Sequence, residues 1–243
     1  MDDLAIVVCT INRGKYLDLL LDNIQKQIWD KVTVVVVDDG STDNTKSIVD
    51  KYSPHMKISY IYNDKKEYSS PAKARNIGWK SIKSKYISFT DPEIVIPIDT
   101  IKKCYDYHLK NLSVTALKPI MVDEFDTEIV FKNGYEFLFN KDIEDFDSME
   151  NQQIQSRKTW KDNHFSMMPY QALVDVDGVN ENFNCWGFEG IDLIERIIDK
   201  GYRLQNFKND FVYHLWHPVN RDMKLADEQR KKYGIKNCGL KDV

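Results

Sequence analysis

The chain lacks the features that mark several common protein classes. Its four cysteines, Cys9, Cys104, Cys185 and Cys238, are scattered, with neither a CxxC pair nor the density of a disulfide scaffold, and read as buried, reduced thiols. That points to a reducing, cytoplasmic compartment. Lys and Arg number 34 against 38 Asp and Glu, with the signs interspersed, so there is no basic footprint for nucleic acid and no juxtamembrane cluster. No apolar stretch approaches the ~20 residues of a membrane span, and the N-terminus leads directly into a strand. The expectation is therefore no transmembrane segment, with peripheral membrane association left open. The segment CTINRGKY after the first apolar run also lacks glycine spacing that would cradle a pyrophosphate on backbone N–H groups.

An apolar content of 42% with 12% aromatics is enough for a real core. The most informative segment is Val32 to Asn44, VTVVVVDDGSTDN, a β-branched run ending in two adjacent carboxylates and a Gly-Ser turn. Without polar alternation it reads as a strand buried on both faces, as in a parallel sheet. Ligands of α/β proteins bind at the open ends of such strands. Asp38 and Asp39 stand there as acceptors suited to the N–H of a base and the hydroxyls of a ribose.

The rhythm along the chain is strand, helix, strand. Strands are expected over Leu4–Thr10, Val32–Val37, Lys57–Tyr62 and Tyr86–Thr90, and helices over Lys15–Gln27, Thr45–Lys51 and Pro71–Lys83. Ser41 and Thr42 offer N-caps for the second helix, with Asp43 near its positive end, and Pro71 suits a first helical turn. This βαβαβαβ layout predicts a mostly parallel sheet with right-handed crossovers. After the fourth strand, Asp91 and Glu93 flank Pro92, and two carboxylates spaced i, i+2 at a strand end can reach one hard cation; a plain acidic turn is the simpler account of an isolated D-x-E. Further on, His214 and His217 in VYHLWHP can direct two imidazoles at one ion, or form a buried pair bonded to backbone. His55, His108 and His164 show no ligand spacing. Residues 141–161 run acidic, Gln-rich and then basic, and read as a mobile loop or irregular helix, whereas 221–232 reads as a solvated helix.

The succession AIVVCTINR, VVVVDDGSTDNT and SPAKARNIGWKSIKSKYISFTDPEIVIP resembles the nucleotide-binding half of family 2 glycosyltransferases of the GT-A fold, over residues 1–100. The resemblance implies a single GT-A domain over 1–243, with residues 101–243 as the acceptor half. It assigns Thr10, Asn12, Arg13, Asp38 and Asp39 to the nucleoside, Lys73, Arg75 and Asn76 to base or phosphates, Asp91 to the ribose or a metal-bound water, and Glu93 to the metal. Glu93 is longer than the Asp usual there. The segment DVDGVNENFNCWGFEGIDLIERIIDKGYRL is similar to the acceptor block of galactosyltransferase-like and chondroitin-polymerase-like enzymes. Gly190 stands where that block carries an Asp often assigned as catalytic base, which leaves Glu189 and Asp192 as the available carboxylates, three apart on one helix face, with Trp186 as a stacking surface for sugar. The same resemblance implies a C-terminal His ligand to the metal. Mixed oxygen and nitrogen ligation suits Mn²⁺, with Mg²⁺ retained.

The function expected is metal-dependent transfer of a hexose or N-acetylhexosamine from a UDP-sugar to an acceptor hydroxyl, in glycan or polysaccharide synthesis. Glu189 and Asp192 are the expected base candidates if configuration inverts, and inversion against retention is open. Two other classes remain: a catalytically silent nucleotide-sugar- or glycan-binding subunit, and a sugar nucleotidyltransferase, for which the phosphate loop is missing.

Overall fold

A computed structural model describes residues 2–64, 71–146, 148–157, 159–183, 187–218 and 223–234. Its centre is the pair of strands β1 (Asp2–Thr10) and, beyond helix α1 (Gly14–Gln25), β2 (Val32–Asp38), which run parallel with Thr10 opposite Asp38. Every residue of β2 is buried. Val35 and Val37 enter the apolar cluster on one face of the sheet, and Val32, Val34 and Val36 the cluster on the other. The unbroken valine run thus has no solvent side.

Helix α2 (Thr45–Tyr52), strand β3 (Ile58–Tyr62), helix α3 (Pro71–Lys80) and strand β4 (Ser84–Thr90) complete the first half. They are followed by β5 (Ile94–Val95), α4 (Thr100–His108), β6 (Ser113–Ala116), β7 (Lys118–Met121), α5 (Glu124–Asn133), α6 (Met149–Ser156), β8 (Phe165–Pro169), α7 (Tyr170–Asp175), α8 (Glu189–Asp199), β9 (Arg203–Gln205), β10 (Phe211–His214) and α9 (Met223–Lys232). The large sheet has the order β3-β2-β1-β4-β8-β6-β9, and a small sheet the order β5-β10-β7. β1 pairs in parallel with both β2 and β4, so the chain leaves β1 in opposite directions along the sheet. That reversal is the switch point at which α/β sheets open a crevice. β8 then pairs antiparallel with both β4 and β6, which brings the C-terminal half alongside β4.

Element boundaries differ from those expected at their ends. α1 closes at Gln25 and α3 at Lys80, and β2 continues through Asp38. Ser41 and Thr42 do not cap α2; Asn44 precedes that helix without a side-chain cap bond. Asp43 does the capping, with Oδ1 accepting from the Thr45 N–H at 3.0 Å and Oδ2 from the Gly14 N–H at 2.9 Å. One carboxylate therefore serves the starts of two helices, since both present unpaired amides at the same place. Within 141–161 the described residues include a 3₁₀ turn at Ile143–Phe146 and α6, capped by Ser148. Cys9 and Cys104 are free thiols, and burial pushes both up to about 12; Cys185 and Cys238 lie outside the described residues. Among the described residues no helix is long and apolar enough to cross a membrane.

Two contacts set the depth of the helices against the sheet. Asn23, fully buried on α1, donates to the Ile96 carbonyl at 3.0 Å and accepts from the Ile96 N–H at 2.9 Å. Gly78 on α3 lies so close to the sheet that a Cβ there would stand 2.4 Å from Val7 Cγ1 and 3.1 Å from Val37 Cγ2. We expect Gly78→Val to destabilise the fold by about 1–3 kcal/mol through overpacking, read by chemical denaturation; an unchanged midpoint would show that α3 does not depend on this approach.

Candidate active site

The ends of β1, β2 and β4 and the start of α8 converge on one charged region. Asp38 and Asp39 are both buried at the end of β2, but their tasks differ. Both oxygens of Asp38 are occupied: Oδ1 accepts from the Ser41 N–H and Oδ2 from the Tyr60 hydroxyl, each at 2.7 Å. Asp38 therefore shapes the turn. Asp39 is fixed by its N–H on the Thr10 carbonyl at 2.8 Å, while its Oδ1 accepts from Asn63 Nδ2 at 2.7 Å. Asn12, exposed and with φ of 50°, braces the same turn through the Ser41 hydroxyl and the Thr42 N–H. Thr10 is buried with its hydroxyl unpartnered.

Arg75 is the centre of the site. Projecting from α3 and only 3% exposed, its guanidinium donates to Glu189 Oε1 at 2.6 Å and to Asp91 Oδ1 at 2.9 Å. Glu189 Oε2 accepts in turn from the Gly187 N–H at 2.8 Å, which ties the first residue of α8 to the turn before it. Burial alone would raise the Asp91 carboxyl, but Arg75 and the neighbouring His164 outweigh it and hold it below the ordinary carboxylate range. Burial would lower Arg75, and the two carboxylates reverse that. Cys9 lies beneath, in the field of Arg75, Asp91, Asp39 and Glu189, so the carboxylates of the two acidic turns and of α8 share one electrostatic neighbourhood.

A second cluster gathers beside Asp91. Glu93 is buried, which raises its carboxyl against the opposing pull of His217 and Arg13. Arg13 Nε bonds Glu93 Oε1 at 2.5 Å, and Arg13 Nη2 lies 3.3 Å from His217 Nδ1. The His214 ring is 5.2 Å from that of His217 and 5.0 Å from that of His164. Burial, reinforced by the neighbouring imidazoles, drives His214 down to about 3, so it is neutral, with Nδ1 unpartnered.

The four side chains expected around a metal, Asp91, Glu93, His214 and His217, thus meet in one region, yet Arg13 stands on Glu93 and against His217. Among the described residues no three His, Cys, Asp or Glu side chains are placed to hold a metal ion together. The donor types fit a divalent cation; the placement, with a guanidinium on one carboxylate, does not.

Other expected site residues are distributed differently. Lys73 is exposed on α3. Asn76, expected at base or phosphates, is buried and committed to structural bonds: Nδ2 donates to the Val179 carbonyl and to Glu181 Oε1, each at 2.8 Å, and Oδ1 accepts from the Val179 N–H and Trp79 Nε1. Glu189 and Asp192 are not brought to a common partner. Asp192 Oδ2 accepts from Arg196 Nε at 2.8 Å, and Arg196 Nη1 holds the Val176 and Gly178 carbonyls, which makes this pair a clamp on the loop before α8. Trp186 lies outside the described residues.

Two members of the site were not singled out from sequence. His164, just before β8, lies with Nδ1 3.6 Å from Asp91 Oδ2, and Asp162 lies beyond it, Oδ2 3.8 Å from His164 Nε2. Neither shows a local spacing signal, because only the antiparallel pairing of β8 with β4 carries them there. His108, by contrast, is a satisfied core histidine between the Ser113 and Thr115 hydroxyls, lowered to about 4 by burial.

Comparison with known proteins supplies a family match. The model of glycosyl transferase family 2 matches residues 5–189, and that of the N-terminal domain of galactosyltransferase matches 164–218. Glycosyltransferase GlyG of Streptococcus pneumoniae is 27% identical over 191 residues, 73% of this chain and 58% of that protein. Among solved structures, TarS of Staphylococcus aureus in complex with UDP-GlcNAc superposes with a TM-score of 0.66 at 21% identity, covering 90% of this chain and 60% of that one. The mannosyltransferase PcManGT of Pyrobaculum calidifontis, solved with GDP-Man and Mn²⁺, gives 0.62 at 18% identity, over 86% and 56%. The chain thus spans less than two thirds of each, and the architecture is the GT-A fold.

Arg13 competes with any cation for Glu93 and His217. Arg13→Ala is therefore expected to tighten Mn²⁺ binding at least fivefold over the unaltered protein in calorimetry without nucleotide; equal or weaker binding would show that Arg13 does not occupy a cation position.

Proposed function

The chain belongs to glycosyl transferase family 2, and on that premise we propose that it transfers a hexose or N-acetylhexosamine from a UDP-sugar to an acceptor hydroxyl in glycan synthesis. The observation that supports this most strongly is the Asp91–Arg75–Glu189 chain, which fixes the acceptor-side helix to the end of β4 at the switch point of the sheet. Donor and acceptor are thereby directed to one crevice. A structural relative, TarS, was solved with UDP-GlcNAc, consistent with a uridine donor here.

In this reading Asp39 accepts the uracil N3–H, Asp38 and Asn12 hold the turn that presents it, and Thr10 lines the nucleoside floor. Asp91, kept ionised by Arg75, receives the ribose hydroxyls. Arg13 and Lys73 bring positive charge towards the leaving diphosphate, where stabilisation of departing charge lowers the barrier. Glu189 positions the turn at the acceptor side, with Trp186 proposed as its stacking surface. Mn²⁺ or Mg²⁺ enters only by competition with Arg13 at Glu93 and His217, and no step is derived through it.

Two measurements test the proposal. Uracil carries an N3–H that cytosine lacks, so the protein should bind UDP at least tenfold more tightly than CDP. Asp39→Ala should cost about 1.5–3 kcal/mol of UDP affinity, as for one charge-assisted hydrogen bond; calorimetry showing no change, or no preference over CDP, removes the nucleoside assignment. UDP release is then followed over UDP-glucose, UDP-galactose, UDP-GlcNAc and UDP-GalNAc, with water or added glycan as acceptor. Release from at least one donor is expected, whereas UDP binding without release from any would identify a silent binding subunit.

A further inference from the structure

We propose that Asp162 is the general base that removes the proton from the attacking acceptor hydroxyl, which deepens the transferase reading above and rests on it. Proton removal needs a carboxylate with a lone pair to spare, and every carboxylate singled out from sequence near the acceptor side is held by an arginine. Asp91 and Glu189 are bonded to Arg75, Glu93 to Arg13, and Asp192 to Arg196. A guanidinium bond occupies a carboxylate oxygen and fixes its position. Among the described residues Asp162 has no arginine or lysine partner; its ionic neighbour is His164 Nε2 at 3.8 Å, and its Oδ1 accepts the adjacent Asn163 N–H at 2.7 Å. It is also the accessible member of the set, its side chain 37% exposed against 5% for Glu189.

Gly190 explains how Asp162 reaches the start of α8. A Cβ on Gly190 would stand 2.8 Å from Asp162 Oδ1 and 3.0 Å from Asn163 Nδ2. The missing side chain lets the Asp162 carboxylate pack against the first turn of the helix, at the positive end of the helix dipole. The neighbouring residue carries a second, independent mark of a ligand. Asn163 is 1% exposed, its Oδ1 accepts from the Ser166 hydroxyl, and its Nδ2 has no hydrogen-bond partner. A buried amide donor left unpaired is costly, and an acceptor hydroxyl oxygen arriving beside Asp162 would receive it while presenting its proton to the carboxylate.

The step balances without a further reactant. The acceptor O–H proton passes to Asp162, the acceptor oxygen forms a bond to the anomeric carbon, and the bond from that carbon to the diphosphate oxygen breaks, its electron pair leaving with UDP. Such a single in-line displacement inverts the anomeric configuration. His164 lies between Asp162 and Asp91, 3.8 Å and 3.6 Å from their nearest carboxylate oxygens.

The test compares Asp162→Asn, Asp162→Glu, Gly190→Ala and Glu189→Gln for kcat of UDP release onto water from the four UDP-sugars, and for UDP affinity. Asp162→Asn is isosteric and should lower kcat by ~10²–10⁴, the usual range for loss of a general base, with UDP affinity within twofold of the unaltered protein. Asp162→Glu should restore part of that rate, and Gly190→Ala should lower kcat tenfold or more by displacing the carboxylate. If Asp162→Asn keeps kcat within threefold while Glu189→Gln abolishes it, the base is Glu189 and the transferase reading stands. If the unaltered protein binds UDP but releases none from any donor, the transferase reading fails, and this inference with it.

Discussion

The buried guanidinium of Arg75 is the constraint on which the rest of the structure depends. A cation taken out of water carries a desolvation penalty of several kcal/mol and is stable only when paired and hydrogen-bonded. Its two partners come from places far apart in the chain, Asp91 at the end of β4 and Glu189 at the start of α8, 16 and 114 residues away. Folding the N-terminal half therefore buries a guanidinium with one carboxylate partner, and the C-terminal half supplies the second. Gly78, one helical turn beyond Arg75, lets α3 sit deep enough on Val7 and Val37 for that charge to be buried. Asn76, the next residue along, fixes Val179 and Glu181, so a single turn of α3 anchors the acceptor segment at two points.

That anchoring gives the site its division of labour. Carboxylates bonded to arginine have fixed positions, which suits binding and architecture; Asp38, held by Ser41 and Tyr60, belongs with them. Asp162, with no arginine or lysine partner among the described residues, packs against the first turn of α8 where Gly190 has no side chain. Rigid acceptors on one side and a less constrained carboxylate on the other match the demands of holding a nucleotide and moving a proton.

The parallel half of the fold was legible because its signals are local. The valine run, the amphipathic spacing of Tyr16, Leu20, Leu21 and Ile24, and Pro71 at a helix start each follow from nearest-neighbour chemistry. Caps were harder to read: Asp43 serves two helices at once, and only the tertiary approach of Gly14 makes that so. The candidate site was legible as a set of carboxylates at strand ends but not in its pairing. An i, i+3 spacing suggested that Glu189 and Asp192 act together, while their partners separate them, Arg75 from α3 for one and Arg196, one turn along the same helix, for the other. Asp162 and His164 carried no motif at all, because an antiparallel strand arriving from late in the chain delivers them. The region expected to hold a metal shows the same limit: the ligand types were visible in sequence, and the guanidinium of Arg13 among them was not.

Arg75 couples the two halves of the molecule, and a double-mutant cycle on Arg75→Met and Glu189→Gln reads that coupling. Each single change should cost about 3–5 kcal/mol of unfolding free energy, since each leaves a buried group without its partner. The double mutant should then be less destabilised than the sum of the two by at least about 1.5 kcal/mol, as expected for groups in direct contact. Additivity within about 0.5 kcal/mol would contradict the account, because it would mean that the two halves are held together by something other than this buried charge.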